Sequence, residues 1–310
     1  MSLRADKFKN PINSGADPWM LYYHGQYYLT TTQGHSIKMW RAPTVSGLKD
    51  APPIVIWKDT DPARSRGIWA PEFHLFDNRW YMYYTACDEN DDETHRTFVL
   101  EGEGDDPAGP YHYKARLYNP TNDHYAIDPT VFKNERDGRL YFLWAAHPRH
   151  VLYIARMANP YTLEGNGTYI PADGFGCDVV REGPEIMQRN GRIFLIYSMC
   201  GASTPNYKLG MLIADASADL LQPGVWKQYP KPVFESVPAA GIYGPGHNGF
   251  FRSPDGTEDW IVYHAKSSTD DTFTDRTTRA QKFTWNPDGT PNFGAPLPVS
   301  TELDEPSNKK

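Results

Sequence analysis

The chain has 310 residues, 14% aromatic side chains and a formal net charge of −7 at pH 7. This acidic balance argues against nucleic acid as a partner, because a polyanion is bound by a basic surface. No run of about 18 consecutive apolar residues occurs, so we expect no membrane-spanning helix and no membrane partner.

A proline-containing motif recurs five times along the chain. The copies are Ala16-Asp17-Pro18-Trp19, Trp69-Ala70-Pro71-Glu72, Ile127-Asp128-Pro129-Thr130, Glu182-Gly183-Pro184-Glu185 and Tyr243-Gly244-Pro245-Gly246. The prolines at 18, 71, 129, 184 and 245 are therefore 53, 58, 55 and 61 residues apart. A period of this size indicates repeated units arranged radially or in a stack, instead of one ordinary core.

Each motif is followed by a Gly, Asn or Asp turn and then by a short aromatic run. These runs are Tyr27–Thr30, Tyr81–Tyr84, Tyr141–Trp144, Ile193–Ile196 and Trp260–Tyr263. Aromatic and β-branched runs behind turn residues predict the strands of hairpins. Each proline fits the beginning of a first strand, where no ladder N–H is needed, and the residue before it is expected to be extended. No stretch has helical periodicity with caps at both ends.

The repeats predict an all-β fold, a five-bladed β-propeller with about four strands per blade. We expect one domain over residues 10–300, with residues 1–9 and 301–310 as terminal extensions. A solenoid would need helices or a much shorter repeat. A protein-interaction propeller would have more blades, each of roughly 40 to 45 residues.

Three acidic residues in these motifs are candidates for catalysis. Asp17 and Asp128 both precede a proline, and Glu182 lies one residue earlier in its own copy. Equivalent positions of a propeller face one axial cavity, where three carboxyls cannot all be ionised cheaply. One would stay protonated and another ionised, as cleavage of a glycosidic bond requires. For each aspartate alone, a turn at the strand entry is the alternative, and Glu72 and Glu185 are expected to be structural.

In this order and at this spacing, the motifs resemble those of glycoside hydrolase family 43, five-bladed propeller enzymes that act on arabinose- and xylose-containing glycans. The resemblance implies that Asp17 is the general base that activates water and Glu182 the general acid. Asp128 would keep Glu182 protonated and oriented. It also implies inversion, for which the base and the acid are separated by roughly 6.5 to 9.5 Å.

The resemblance extends to binding residues. Trp69 and Trp144 would contact the sugar, and Arg279 would contact its hydroxyls or the central carboxylates. His247 would lie near a cation such as Ca²⁺ in the central channel, with at most one imidazole contact because Ca²⁺ prefers oxygen ligands. The alternatives are blade packing for Trp144, an exposed strand arginine for Arg279 and a core histidine for His247. No organic cofactor is expected.

The function that this resemblance implies is exo-acting α-L-arabinofuranosidase activity on arabinan or arabinoxylan of plant cell walls. The segments Asp88–Asp106 and Thr269–Asp275 are expected to wall a closed pocket. A β-xylosidase and an endo-1,5-α-L-arabinanase of the same family are the alternatives. A non-catalytic glycan-binding propeller is an alternative of another class, but it predicts the loss of an acid, and all three acids are present.

The three cysteines, Cys87, Cys177 and Cys200, suggest no disulfide framework, and their odd number leaves at least one free thiol. We expect them to be inert packing residues. The first residues, Met1–Asp6, lack the apolar segment of a secretory signal. The compartment stays open between secreted and cytoplasmic.

Overall fold

The computed structural model describes residues 7–118, 121, 123–147 and 150–309. It contains five four-stranded antiparallel sheets and one two-stranded sheet. In each four-stranded sheet the strands follow one another in chain order, as in the blade of a propeller. The predicted all-β, five-bladed propeller is therefore confirmed.

The strands are named here in chain order, beginning with β1 (Lys7–Phe8). Blade 1 contains β2 (Ala16–Tyr23), β3 (Gln26–Thr32), β4 (Ile37–Ala42) and β5 (Ile54–Trp57). Blade 2 contains β6 (Arg66–Phe76), β7 (Arg79–Asp88), β8 (Asp91–Gly102) and β9 (Tyr111–Leu117). Blade 3 contains β10 (Ala126–Lys133), β11 (Leu140–Ala146), β12 (Val151–Asn159) and β13 (Thr162–Ile170). Blade 4 contains β14 (Arg181–Arg189), β15 (Arg192–Met199), β16 (Lys208–Asp215) and β17 (Lys227–Gln228). Blade 5 contains β18 (Tyr243–Arg252), β19 (Asp259–Lys266), β20 (Thr277–Trp285) and β21 (Pro291–Asn292), and β22 (Leu303–Asp304) follows it.

Helical structure in the described residues is confined to short 3-10 turns. These are Ser46–Lys49, Pro62–Arg64, Pro223–Val225 and Pro238–Ala240. None of these helices has the length and apolar character needed to cross a membrane.

The hydrophobic core is divided among the junctions between blades. Five clusters of buried side chains each join two neighbouring blades. Phe132 and Leu152 of blade 3, for example, pack with Leu195 and Leu212 of blade 4. Since a blade buries both faces, large aromatic side chains fill the wedges between blades, and the first strands face the axis.

The ring closes between blades 5 and 1. The side chain of Asn10 bonds to both backbone groups of Ala280 in β20, at 2.9 Å each. Asn13 pairs with Thr278 in the same strand. Beyond these contacts, β1 pairs with β22, so the two ends of the described chain are joined.

The backbone before each motif proline differs from the expectation of an extended conformation. The φ angles are 53° at Asp17, 44° at Ala70, 54° at Asp128, 52° at Gly183 and 53° at Gly244. The pairing between the first two strands of every blade shifts at this point: Ala16 pairs with Thr32 but Trp19 with Thr30. Two residues of the first strand thus lie opposite one residue of the second strand, which defines a β-bulge. The bulge accommodates the residue with a left-handed backbone and changes the direction of the side chains around it.

Candidate active site

A cavity of about 560 Å³ opens at the axis of the propeller. The first strand of every blade contributes a side chain to its wall: Asp17, Trp69, Asp128, Glu182 and His247. The three candidate acids therefore lie in one cavity, as their register in the repeat predicts.

The bulges decide how the acids reach this cavity. Asp17 and Asp128 occupy the left-handed position itself, which aspartate tolerates better than most residues, at a cost of about 1 kcal/mol or more. Blade 4 has Gly183 at that position, and its acid, Glu182, comes one residue earlier. All three side chains are buried, with relative exposures of 6 to 8%.

Asp17 lies among cationic and imidazole groups. Its Oδ1 is 2.9 Å from Nη1 of Arg276, 3.1 Å from Nδ1 of His264 and 3.3 Å from Nδ1 of His247. Burial alone would raise the pKa of Asp17, but the charges of Arg276 and His247 and the contact with His264 hold that pKa well below its usual range. The carboxylate is thus ionised at neutral pH and can accept a proton.

His264 is a neutral imidazole in this group. Burial lowers the pKa of His264 to about 4, so the ring is neutral at pH 7. Nδ1 of His264 lies 3.1 Å from both the backbone nitrogen and Oδ1 of Asp17, so it can accept from the N–H or donate to the carboxylate, but not both at once. Either hydrogen bond holds Asp17 at the bulge of blade 1.

Asp128 lies at the centre of the acidic group and titrates near neutrality. Burial is the main cause that raises the pKa of Asp128 to about 6; the imidazole of His247 opposes the rise, and the charges of Glu182 and Asp17 add to it. The backbone N–H of Asp128 donates to Oγ1 of Thr85 at 3.2 Å, which ties blade 3 to blade 2.

Glu182 has a different partner on each carboxyl oxygen. The hydroxyl of Tyr207 donates to Oε1 at 2.7 Å, and Nδ1 of His150 is 3.0 Å from Oε2. Burial raises the pKa of Tyr207 well above its usual value, so this hydroxyl stays a donor. A proton on Glu182 therefore belongs on Oε2, where it can pass to or from His150.

His150 has the properties needed to exchange a proton with Glu182. Burial would lower the pKa of His150, but the hydrogen bond and charge of Glu182 and the charge of Asp128 raise it above its usual value. The side chain is partly exposed, so it connects the buried acid with solvent.

The two predicted tryptophans lie in different places. Trp69 lines the cavity, and one face of its indole stacks on His95 with ring centroids 4.0 Å apart. Trp144 instead belongs to the core between blades 2 and 3, stacked on Phe142 and Tyr153 at 4.9 and 5.4 Å. The structure thus corrects the assignment of Trp144 to substrate binding, because the middle of β11 faces the neighbouring blade.

The arginine in the cavity is Arg276, and Arg279 lies elsewhere. Arg279 is fully buried in β20 and donates to Oγ of Ser267 at 3.0 Å and to Oγ1 of Thr277 at 3.3 Å. It pairs with Tyr263 in the middle of the sheet. Arg276 immediately precedes β20 and reaches the acids. The structure therefore replaces the predicted cavity arginine, Arg279, by Arg276, which lies three residues earlier in the chain.

Sequence reasoning missed Arg276, Tyr207 and His150. Tyr207 and His150 lie just before β16 and β12, outside every proline motif, so the repeat carries no signal for them. The one usable signal was their position: polar residues immediately before a blade strand lie at the end of the sheet where the cavity opens.

A cation at His247 stays a prediction, and the neighbouring groups fit it poorly. Burial would lower the pKa of His247, but the carboxylates of Asp17, Asp128 and Glu182 raise it, which favours a hydrogen-bond donor over a metal ligand. In the described ranges, the one trio of His, Cys or acid atoms within 4.8 Å of one another lies elsewhere, at Cys87, Asp92 and His95.

The cysteines differ from the expectation. Cys177 and Cys200 form a disulfide, and Cys87 is a buried free thiol. The two bonded residues are 23 apart in sequence, but they flank β14 and β15, whose ends pair through Arg181 and Met199. The bridge ties together two segments that line the cavity with Val180 and Gly201.

The two segments expected to wall the pocket each contribute one side chain to it. Most of Asp88–Asp106 is the strand β8, and Asp92 at its beginning lines the cavity. From Thr269–Asp275, Phe273 lines the cavity.

Several known proteins are similar to this chain. A Streptomyces avermitilis protein described as an extracellular exo-alpha-(1->5)-L-arabinofuranosidase is 39% identical, over 94% of this chain and 64% of that protein. A Streptomyces chartreusis protein of the same description is 35% identical, over 85% of this chain and 84% of that protein. The crystal structure of an alpha-L-arabinofuranosidase from Lactobacillus brevis superposes with a TM-score of 0.87 at 36% identity, over 95% of this chain and 98% of that one.

The chain thus spans just under two thirds of the Streptomyces avermitilis protein. The family model for glycosyl hydrolases family 43 matches residues 8–291, nearly the whole propeller. The cavity with its three acids and the matched residues agree, and the chain belongs to glycosyl hydrolase family 43.

Proposed function

We propose that the protein is an exo-acting α-L-arabinofuranosidase that hydrolyses terminal arabinofuranosyl residues with inversion. The observation that carries the proposal is the unequal surroundings of two carboxyls in one cavity. Asp17 contacts Arg276, which keeps it ionised, whereas Oε2 of Glu182 lies 3.0 Å from Nδ1 of His150, a partly exposed side chain that can resupply a proton from solvent. One group is thus prepared to accept a proton and the other to donate one.

In the proposed reaction Asp17 takes a proton from a water molecule as that water attacks the anomeric carbon. Glu182 gives the proton on Oε2 to the glycosidic oxygen, and the bond between that oxygen and the anomeric carbon breaks. The water oxygen enters from the face opposite the leaving group, so the configuration inverts. The released sugar chain carries away the proton of Glu182.

Asp128 and His150 would support the acid in this cycle. The charge of Asp128 favours retention of the proton on Glu182, and its carboxylate orients the backbone there. After each turnover His150 passes a proton from solvent to Oε2, and Asp17 releases its proton to water. Asp128 is a positioning residue in this scheme, since nothing requires it to touch the reacting atoms.

The substrate class rests on the relatives and on the side chains that line the cavity. The three similar proteins above are described as arabinofuranosidases and are 35 to 39% identical to this chain. A Bacillus subtilis endo-arabinanase matches only 52% of this chain at 25% identity. Asp92 and Phe273, from two separate segments, line the cavity, and side chains that flank the buried acids suit a terminal residue better than the middle of a polymer. Arabinan and arabinoxylan of plant cell walls are the proposed substrates.

The disulfide supports a secreted enzyme. Disulfides form and persist in oxidising compartments and are rare in the cytosol. The bridge lies beside the cavity. Its formation in an oxidising compartment would therefore also hold the wall of the cavity in place.

The test is the initial rate on 4-nitrophenyl α-L-arabinofuranoside, on the matching β-D-xylopyranoside and on linear arabinan. On linear arabinan, whose leaving group is an unactivated sugar, we expect turnover that falls by about 10²- to 10⁴-fold in Asp17→Asn and in Glu182→Gln. The proton NMR spectrum of the first product, taken before mutarotation, should show inverted configuration. A preference for the xyloside would favour the xylosidase alternative, and cleavage of arabinan alone would favour the endo alternative. Near-normal rates of either variant on the unactivated arabinan would refute the assigned roles.

A further inference from the structure

The loop between β19 and β20, residues 267–276, is anchored although its tip is exposed. Lys266 is fully buried, and its ammonium group donates to the carbonyl oxygens of Ser203, Asp270 and Thr272. It also lies 3.3 Å from Oδ1 of Asp275. The loop is thereby attached to the segment around Ser203, which lines the cavity as well.

Arg276 anchors the other end of the loop to the catalytic group. Its Nε donates to the carbonyl oxygen of Phe273 at 3.1 Å, and its Nη1 is 2.9 Å from Oδ1 of Asp17. The guanidinium carbon lies 5.2 Å from the centre of the Phe273 ring, a cation–π distance. The position of Phe273 is thus set by the same side chain that holds Asp17.

The side chain of Phe273 is largely exposed to solvent. It is 61% exposed and lines the cavity, whereas Asp17 and Glu182 at the bottom are each 8% exposed. A lone exposed apolar residue is common on protein surfaces. This ring is different because its backbone is pinned at both sides and it stands at the mouth of the cavity.

We propose that Phe273 is the platform for the sugar on the leaving side of the scissile bond; this inference rests on the proposed function. In exo action the terminal furanose fills the deep part between the acids, so the rest of the chain passes out through the mouth. A ring that is exposed at that mouth meets the leaving sugar and is too shallow for the furanose. The apolar C–H face of a sugar packs on an aromatic ring, which buries surface that is otherwise wet.

The test compares two substrates that share the arabinofuranosyl group and differ in what leaves. The first is α-1,5-arabinobiose and the second α-L-arabinofuranosyl azide, which has no leaving sugar. In Phe273→Ala we expect kcat/KM for arabinobiose to fall about tenfold, mainly through KM, and the value for the azide to stay within about twofold. Phe273→Tyr should restore arabinobiose cleavage. Val299→Ala, another exposed apolar residue outside the cavity lining, is the matched control and should change neither.

An equal loss on both substrates would overturn the proposal, because the ring would then shape the furanose site or the loop. An unchanged arabinobiose rate would overturn it as well. Calorimetry separates this inference from the proposed activity: in a Glu182→Gln background, Phe273→Ala should weaken binding of arabinobiose and leave binding of arabinose unchanged. If the wild type cleaves neither substrate, the proposed activity fails, and the binding difference alone decides the role of Phe273.

Discussion

Oδ2 of Asp128 accepts a hydrogen bond from the backbone N–H of Gly183 at 3.1 Å, so the third acid holds the peptide that follows Glu182. Gly183 has a φ of 52°, and a Cβ at this position would lie 3.2 Å from the ring of His247. Glycine therefore lets the carboxylate, the imidazole and the backbone of blade 4 pack together. Asp128 thus acts on Glu182 through position as well as through charge.

Replacing Asp128 by asparagine should separate these two effects. The amide oxygen can still accept from Gly183, but the negative charge that favours a proton on Glu182 is lost. Because the pKa of Asp128 is raised to about 6, that charge exists only above this pH. We expect the pH profiles of kcat/KM to diverge above about pH 6, with the alkaline limb of Asp128→Asn at lower pH. An alkaline limb that stays in place would reduce Asp128 to a strand-entry turn.

Replacing Arg276 by glutamine should move the acidic limb of the pH profile of kcat/KM. The positive charge of Arg276 is the largest influence that lowers the pKa of Asp17, so without it that pKa rises. The base then ionises only at higher pH, and the acidic limb of kcat/KM moves upward. Arg276→Lys keeps the charge and should leave the limb near its original place. Equal profiles for the two variants would show that Arg276 acts only by shape.

Glu72 should make stability depend on pH without taking part in catalysis. Burial raises the pKa of Glu72 from 4.5 to about 8; its hydrogen bonds with Glu185 and Thr130 oppose the rise, and the charge of Asp128 adds to it. Between these values the folded protein keeps a proton that the unfolded chain releases. The contribution of Glu72 to stability therefore falls as pH rises from about 4.5 to 8, by up to about 1.4 kcal/mol per pH unit.

Glu72→Gln should make that dependence shallower, measured as the free energy of unfolding in urea at pH 5 and pH 8; Glu185, whose pKa burial also raises, keeps its own contribution. Protonated Glu72 can donate to Nε2 of His74 at 2.9 Å, because burial lowers the pKa of His74 to about 4 and the ring is neutral. The amide of glutamine can donate in the same place. Glu302→Gln, at an exposed site, is the control and should keep the slope of the wild type. The same slope in Glu72→Gln would show that another group titrates.

Reduction of the disulfide should weaken both the fold and the site. Cys177 and Cys200 close a loop of 23 residues, for which a loss of about 3 kcal/mol of stability is expected. The segments around Val180 and Gly201 would then loosen, so KM should rise more than kcat falls. Dithiothreitol should have no further effect on a Cys177→Ser/Cys200→Ser variant. A melting temperature of the wild type that does not respond to dithiothreitol would contradict this role.

The sequence by itself determined the blade count and the group of acids. The proline motifs recur five times at a nearly constant spacing. Five repeats of that length, each with about four strands, indicate five blades around one axis. Asp17 and Asp128 share a register in that repeat, Glu182 lies one residue earlier in its own copy, and these positions of a ring converge on its axis. No contact between distant residues had to be known for either conclusion.

Only the tertiary structure decided which other side chains complete the site. The left-handed backbone at Asp17 comes from a bulge, which overrides the local preference of a residue before proline for an extended conformation. Arg276 and Tyr207 reach the acids because separate blades bring strand ends together, and their positions follow no repeat. Trp144 and Arg279 have suitable chemistry, but the faces of their strands direct them into the packing between blades and within the sheet. Register along one strand can be read from sequence, whereas the packing of one blade against the next depends on the whole closed ring.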